Sequence, residues 1–171
     1  HMVKLPVIVY NRDSQSEVLI DAIDLRNKLE EIADAEYAKT GKYIRPIALF
    51  QAQPKGKEDA TTFEKLRDKL VDAGIPAEQI AIRTADVNEL KNTDLMSPSC
   101  PIRYIITVNA LKEGWDCPFA YILASLANKT SQVDVEQILG RILRLPHTSQ
   151  HTQSALNMSY VLTSSNDFNN T

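Results

Sequence analysis

The chain predicts an α/β protein with an open, mainly parallel sheet and crossover helices, and three observations predict it. Strand-like and helix-like segments alternate along the sequence, which is the order that parallel pairing requires. The runs Pro46–Phe50, Ile102–Val108 and Phe119–Leu126 are continuously apolar rather than alternating, as in strands covered on both faces. The hydrophobic share of 43% over 171 residues is enough for one domain with a substantial core.

Each element has its own justification. Leu5–Tyr10 is a short β-rich run, and Ser14 with Glu17 matches a capping box at a helix start. Val18, Ala22, Leu25, Leu29 and Ile32 recur at three-to-four-residue spacing, which predicts a helix to about Lys39 that packs through this stripe and ends at Gly41. Pro46–Phe50 is the next strand. Gln53–Lys57 reads as a loop, and Phe63, Leu66, Leu70 and Val71 mark a second helix stopped by Gly74. Gln79–Ile82 is a short strand. Ser97–Pro101 carries two prolines and forces an extended loop. After Ile102–Val108 and Phe119–Leu126, a helix is predicted from about Gln132 to Leu143, then a last strand at Tyr160–Leu162 and a polar tail from Ser164.

Charge and composition exclude several classes. The net charge of −3 argues against a polycationic surface that binds a phosphate backbone unaided. Two cysteines, Cys100 and Cys117, without a Cys-x-x-Cys pair, argue against a disulfide framework or a structural zinc site. Apolar runs of four to eight residues are far short of the roughly 20 that cross a bilayer, so an intracellular protein is expected. His1-Met2 reads as the scar of a cleaved tag, so the chain is expected to be a piece of something longer.

The chemistry-bearing stretch is Gln137–Arg144, preceded by Glu113-Gly-Trp-Asp116. On a helix, Gln137, Arg141 and Arg144 fall within about 60° of one another and present an amide and two guanidinium groups on one face. Two arginines aimed at one spot imply an anion. Gly140 lies at the edge of that face, where a missing side chain permits close approach. Ligands of open parallel sheets gather beyond the carboxyl ends of strands, and Glu113–Asp116 follows such an end at Val108.

Asn109–Phe119, an apolar strand and then Glu136–Pro146 resemble motifs V and VI of superfamily 2 helicases. The wording Lys112-Glu-Gly-Trp-Asp116 is similar to the restriction (Res) subunits of type III restriction-modification enzymes and their DEAD/DEAH-box relatives, with Arg45–Gln51 as motif IV. The resemblance covers about residues 44–163. It implies that residues 44–165 form the second, C-terminal RecA-like domain of P-loop NTPase type, with helices on both faces of its sheet. Residues 1–43 then add a tag remnant, a strand and a long helix that packs on or links to that domain, and 166–171 form a frayed tail.

The resemblance further implies that the domain closes on a first RecA-like lobe across ATP with Mg2+ and across a DNA strand. Arg144 corresponds to the arginine finger, Arg141 to its companion at the γ-phosphate, and Gln137 to a residue that orients the nucleotide site. Gly114, Asp116 and Gly140 would approach the nucleotide. Thr107, Asn109 and Gln51 would contribute to the nucleic-acid track. Implied partners are the N-terminal RecA-like domain of the same polypeptide, DNA and a methyltransferase (Mod) subunit, in a prokaryotic cytoplasm. Aimed guanidinium groups suit phosphoryl transfer, whose transition state spreads charge over the equatorial oxygens.

The chain departs from the common motif V, in which a threonine and an aspartate precede the arginine. Val108 and Asn109 take the first two places and Glu113 the third. There is also no Gly-x-x-x-x-Gly-Lys-Ser/Thr loop and no apolar strand that ends in Asp-Glu, so the chain alone is expected to be catalytically silent. No metal site is expected at Asp134 and Glu136 or at His147 and His151. Trp115 reads as core before it reads as a base-stacking platform, and Lys55 and Lys57 read as a solvated pair. Two other readings stand beside the motor lobe: a degenerate RecA-like scaffold for protein interaction, and a small anion-binding α/β domain.

Overall fold

The computed structural model describes residues 7–12, 14–52, 63–84, 87–108, 117–126 and 154–163, together with Gln137 and the backbone of Leu143 and Arg144. In chain order the elements are β1 (Val7–Asn11), α1 (Gln15–Thr40), β2 (Ile47–Gln51), α2 (Phe63–Asp72), β3 (Ile80–Ile82), β4 (Tyr104–Thr107), β5 (Cys117–Pro118), β6 (Ala120–Ser125), β7 (Leu143–Arg144) and β8 (Ser159–Thr163). Six strands form one open sheet in the order β1-β8-β6-β2-β4-β3, and β5 pairs with β7 in a separate two-stranded ladder. Among the described residues every pairing between these strands is parallel, and the isolated Arg83–Asn88 bridge is antiparallel. This is the α/β class expected from the sequence.

All residues of β4, β6 and β8 are buried, as are the first four of β2. Elements on both sides of the sheet must therefore cover it, which is why these segments carry no polar alternation. Each fully buried Leu or Ile here contributes roughly 1.5–3 kcal/mol of transfer free energy. The sheet also takes its edge strand from residues before 44: β1 pairs along its whole length with β8.

α1 begins and ends as its sequence dictates. Ser14 accepts a hydrogen bond from the Glu17 amide at 3.2 Å, and Gly41 closes the helix at φ 78 with its N–H donated to Tyr37 O. Its first turn is also tied to the sheet, because Gln15 Nε2 donates to Leu126 O at 3.0 Å, just beyond the end of β6. The buried stripe differs from the expected one. It runs through Val18, Leu19, Ala22, Arg26, Leu29, Ala33 and Glu36, while Leu25 and Ile32 are only half-buried. Two charged residues, Arg26 and Glu36, thus occupy the packing face.

The predicted helix over 132–143 also needs correction. Gln137 is helical, but Leu143 and Arg144 are extended and pair with Cys117 and Pro118. Leu143 and Arg144 take the parallel pairing that Cys117 and Pro118 offer, and Pro146, which cannot continue a helix, follows two residues on.

The β3 edge of the sheet is sealed by the chain itself. Glu89 folds back so that its carboxylate accepts the Ile82 amide at 2.8 Å, its own amide donates to Ile82 O, and Arg67 holds the carboxylate at 2.5 Å. A sheet edge with its amides satisfied in this way offers no template to another strand.

Candidate functional site

Among the described residues, three expected site positions are placed by register, Gln51 and Thr107 at one end of the strands and the Arg144 backbone at the other. At the carboxyl end, Gln51 closes β2 and Thr107 closes β4, and the two are direct partners in register. The register continues across the sheet through Ser125, Thr163 and Asn11, so five adjacent strands end in a row of polar residues. In-register residues of parallel strands point to the same side. Tyr104 pairs with Ala48, stacks on Phe50 at 6.2 Å and receives a hydrogen bond from Arg26 of α1 at 3.2 Å, which makes this the α1 face. Gln51, one residue beyond Phe50, therefore belongs with the whole row to the face turned away from α1. Thr107, Ser125 and Thr163 are buried and Gln51 is half-buried.

The second group lies near the amino end of β6. Cys117–Pro118 pairs with Leu143–Arg144, so the chain just past Asp116 is zipped to the end of the Gln137–Arg144 stretch. This corrects one expectation: Arg144 stands on a strand and not on the helical face of Gln137, for the reason given above. The expectation for Glu113–Asp116 falls on residues outside those described. The six residues of β6 put about 17–20 Å between the two groups.

Gln137 is helical and exposed. Asn109, Gly114, Asp116, Gly140 and Arg141 lie outside the described residues, as do Trp115, Lys55, Lys57, Asp134, Glu136, His147 and His151. Among the described residues no cluster of three His, Cys, Asp or Glu could hold a metal ion, and no helix is long and apolar enough to cross a membrane.

Sequence reasoning missed the arginines that build the amino end. Arg45 is only 1% exposed, yet no carboxylate faces it among the hydrogen bonds it makes. It donates to Ile102 O at 2.7 Å, to Ser97 O at 3.0 Å, to Leu95 O and to Tyr43 Oη at 3.2 Å, with its guanidinium 5.8 Å from the Phe119 ring. The two-proline loop is thereby held under β2 by one cation. Arg26, also buried, donates to Pro46 O, Tyr104 Oη and Glu30, and Glu30 receives a second hydrogen bond from Arg103 at 2.8 Å. Partial burial pushes the Glu30 carboxyl up, but the Arg103 hydrogen bond and the Arg26 charge outweigh it and hold the group below the ordinary glutamate value.

The only sequence signal for these roles was the placement of arginine inside apolar surroundings, as in Tyr43-Ile-Arg45-Pro-Ile. Tyr121 is a further buried polar group. Its hydroxyl has no hydrogen-bond partner among the described residues, and burial, helped by Tyr160 and Glu36, pushes the phenol well up from its ordinary value.

No protein-family model matches the chain, and no curated protein matches it.

Proposed function

We propose that the chain is the C-terminal RecA-like lobe of an ATP-driven DNA translocase, of the kind found in type III restriction (Res) subunits. The observation that carries the reading is the β5–β7 ladder, which joins the two motif-bearing stretches although 24 residues of sequence separate Pro118 from Leu143. In this reading Arg144, with Arg141, meets the triphosphate held mainly by a neighbouring lobe, where guanidinium groups stabilise charge that develops on transfer. Magnesium and the phosphate cradle fall to that other lobe, because this sequence has neither the glycine-rich loop nor the Asp-Glu strand end. Gln51, a half-buried member of the polar row, supplies a neutral amide to a nucleic-acid backbone about one strand length away, with Thr107 buried beside it. Two surfaces on one rigid sheet are what coupling hydrolysis to movement along a strand requires.

The deciding experiment is Arg144→Ala in a protein that carries both lobes. Loss of DNA-stimulated ATP hydrolysis by about 10³-fold or more, with the circular dichroism spectrum unchanged, is expected. Undiminished hydrolysis would favour the scaffold reading. Calorimetry on the chain alone is expected to detect little ATP affinity, whereas a self-contained anion site would bind inorganic phosphate or ATP without the second lobe.

A further inference from the structure

Phe119 sits between β5 and β6 with φ 72, a left-handed backbone that a bulky side chain rarely adopts. For an L-residue this conformation costs roughly 1–2 kcal/mol, and glycine or asparagine would adopt it more readily. Something must hold the phenyl ring there. The ring is 1% exposed and meets the Tyr43 ring edge-on at 5.9 Å, and the Arg45 guanidinium lies 5.8 Å from its centre. The Phe119 carbonyl accepts the Ile47 amide at 2.9 Å, which fixes the kink to the start of β2. Arg45 is itself immobilised by three carbonyls, and Tyr43 packs edge-on against Tyr37 of α1 at 5.8 Å.

The kink also has a geometric consequence. Cys117–Pro118 pairs with β7, whereas Ala120, two residues after Pro118, already belongs to the main sheet beside Ile47. The chain changes sheets at Phe119, so the ring's seat decides where β5 lies and which residues of β7 face it. We propose that Phe119, clamped by Arg45 and Tyr43, is a positioning residue that sets the register of β5 on β7 and thereby places Arg144 opposite Pro118. The step from register to the chemistry of Arg144 rests on the motor-lobe reading.

Register is read directly by disulfide trapping. Cys117 and Leu143 are partners, so in a Cys100→Ser background Leu143→Cys is expected to oxidise onto Cys117 under mild oxidant, scored by mass spectrometry of unreduced peptides. Adding Phe119→Gly or Phe119→Asn is expected to slow this bond roughly tenfold, although both residues accept the backbone angle, and to raise trapping by Arg144→Cys in its place. Tyr43→Leu, which keeps Phe119, is expected to act in the same direction more weakly, and it carries the test if the Phe119 variants do not fold. Unchanged trapping in Phe119→Gly, or in Tyr43→Leu where that variant stands in for it, overturns the proposal.

A second arm uses the two-lobed protein. Phe119→Gly is expected to lower kcat for ATP hydrolysis roughly 10- to 100-fold with KM for ATP nearly constant. Slipped register with full kcat, where Arg144→Ala abolishes hydrolysis, would overturn the positioning role. Slipped register with an active Arg144→Ala protein would instead remove the motor reading and leave the register clamp supported.

Discussion

At the amino ends of its strands the sheet is tied down by guanidinium groups, and at the carboxyl ends it finishes in hydroxyls and amides. Arg26, Arg45 and Arg103 spend their donors on backbone carbonyls and on Glu30, so positive charge at that end is consumed by the fold. Asn11, Thr163, Ser125, Gln51 and Thr107 form a row that carries no formal charge. Identical strands thus serve as an anchor at one end and as a polar rim at the other. An arginine in this chain cannot be read as an anion ligand until its donors are counted, because the buried Arg26 and Arg45 each already engage four of their five.

The largest test of the anchor is Arg45→Met, which preserves much of the apolar stem and removes every donor. The carbonyls of Leu95, Ser97 and Ile102 would be stranded, and each buried acceptor left unpaired costs about 1–3 kcal/mol. A loss of at least about 3 kcal/mol in urea unfolding is expected. A smaller loss would mean that water reaches those carbonyls and that the amino end is looser than its geometry.

Glu30→Gln comes next. It weakens two charge-assisted hydrogen bonds but leaves Arg26 its contacts with Pro46 and Tyr104, so about 1–2 kcal/mol is expected. The pH dependence has a definite sign. The folded Glu30 carboxyl is held below its ordinary value of 4.5, so its contribution is complete above that value and fades as pH falls through the lower folded value. Urea midpoints measured from pH 6 downward are therefore expected to fall less steeply in Glu30→Gln than in the parent chain. At the start of α1, Ser14→Ala removes the cap on the Glu17 amide, and about 1 kcal/mol is expected from the same unfolding curves.

Much of this comparison could not be read from sequence, for reasons that differ between residues. Local signals were sufficient for α1, whose cap at Ser14 and terminator at Gly41 act within a few residues. They also sufficed for β2, β4 and β6, whose unbroken apolar runs leave no face for water. The β7 strand was illegible because Ile138-Leu-Gly-Arg-Ile-Leu143 repeats with helical spacing, while the partner that makes its last residue extended is Cys117, far away in sequence. The polar row was illegible because each member is a lone terminal residue of its strand, and only the register aligns them. Arg45 was read as part of a motif, since burial of a cation among carbonyls leaves no periodic trace.

Gln51→Ala gives the smallest effect on stability and the sharpest one on the comparison. Gln51 is half-buried at a strand end, and removal of its amide is expected to shift unfolding by no more than about 0.5 kcal/mol. If the rim contacts a nucleic-acid backbone through neutral groups, loss of one such hydrogen bond weakens single-strand binding by up to roughly tenfold in the two-lobed protein. It does so without changing the slope of log affinity against log salt, because no counterion is released at an uncharged contact. A charged contact would lower that slope by about one ion, and a residue with no part in binding would change neither quantity. Titrations of single-stranded DNA at three salt concentrations separate these outcomes. Only a parallel downward shift fits a rim of neutral donors opposite an anchor in which the cations are already engaged.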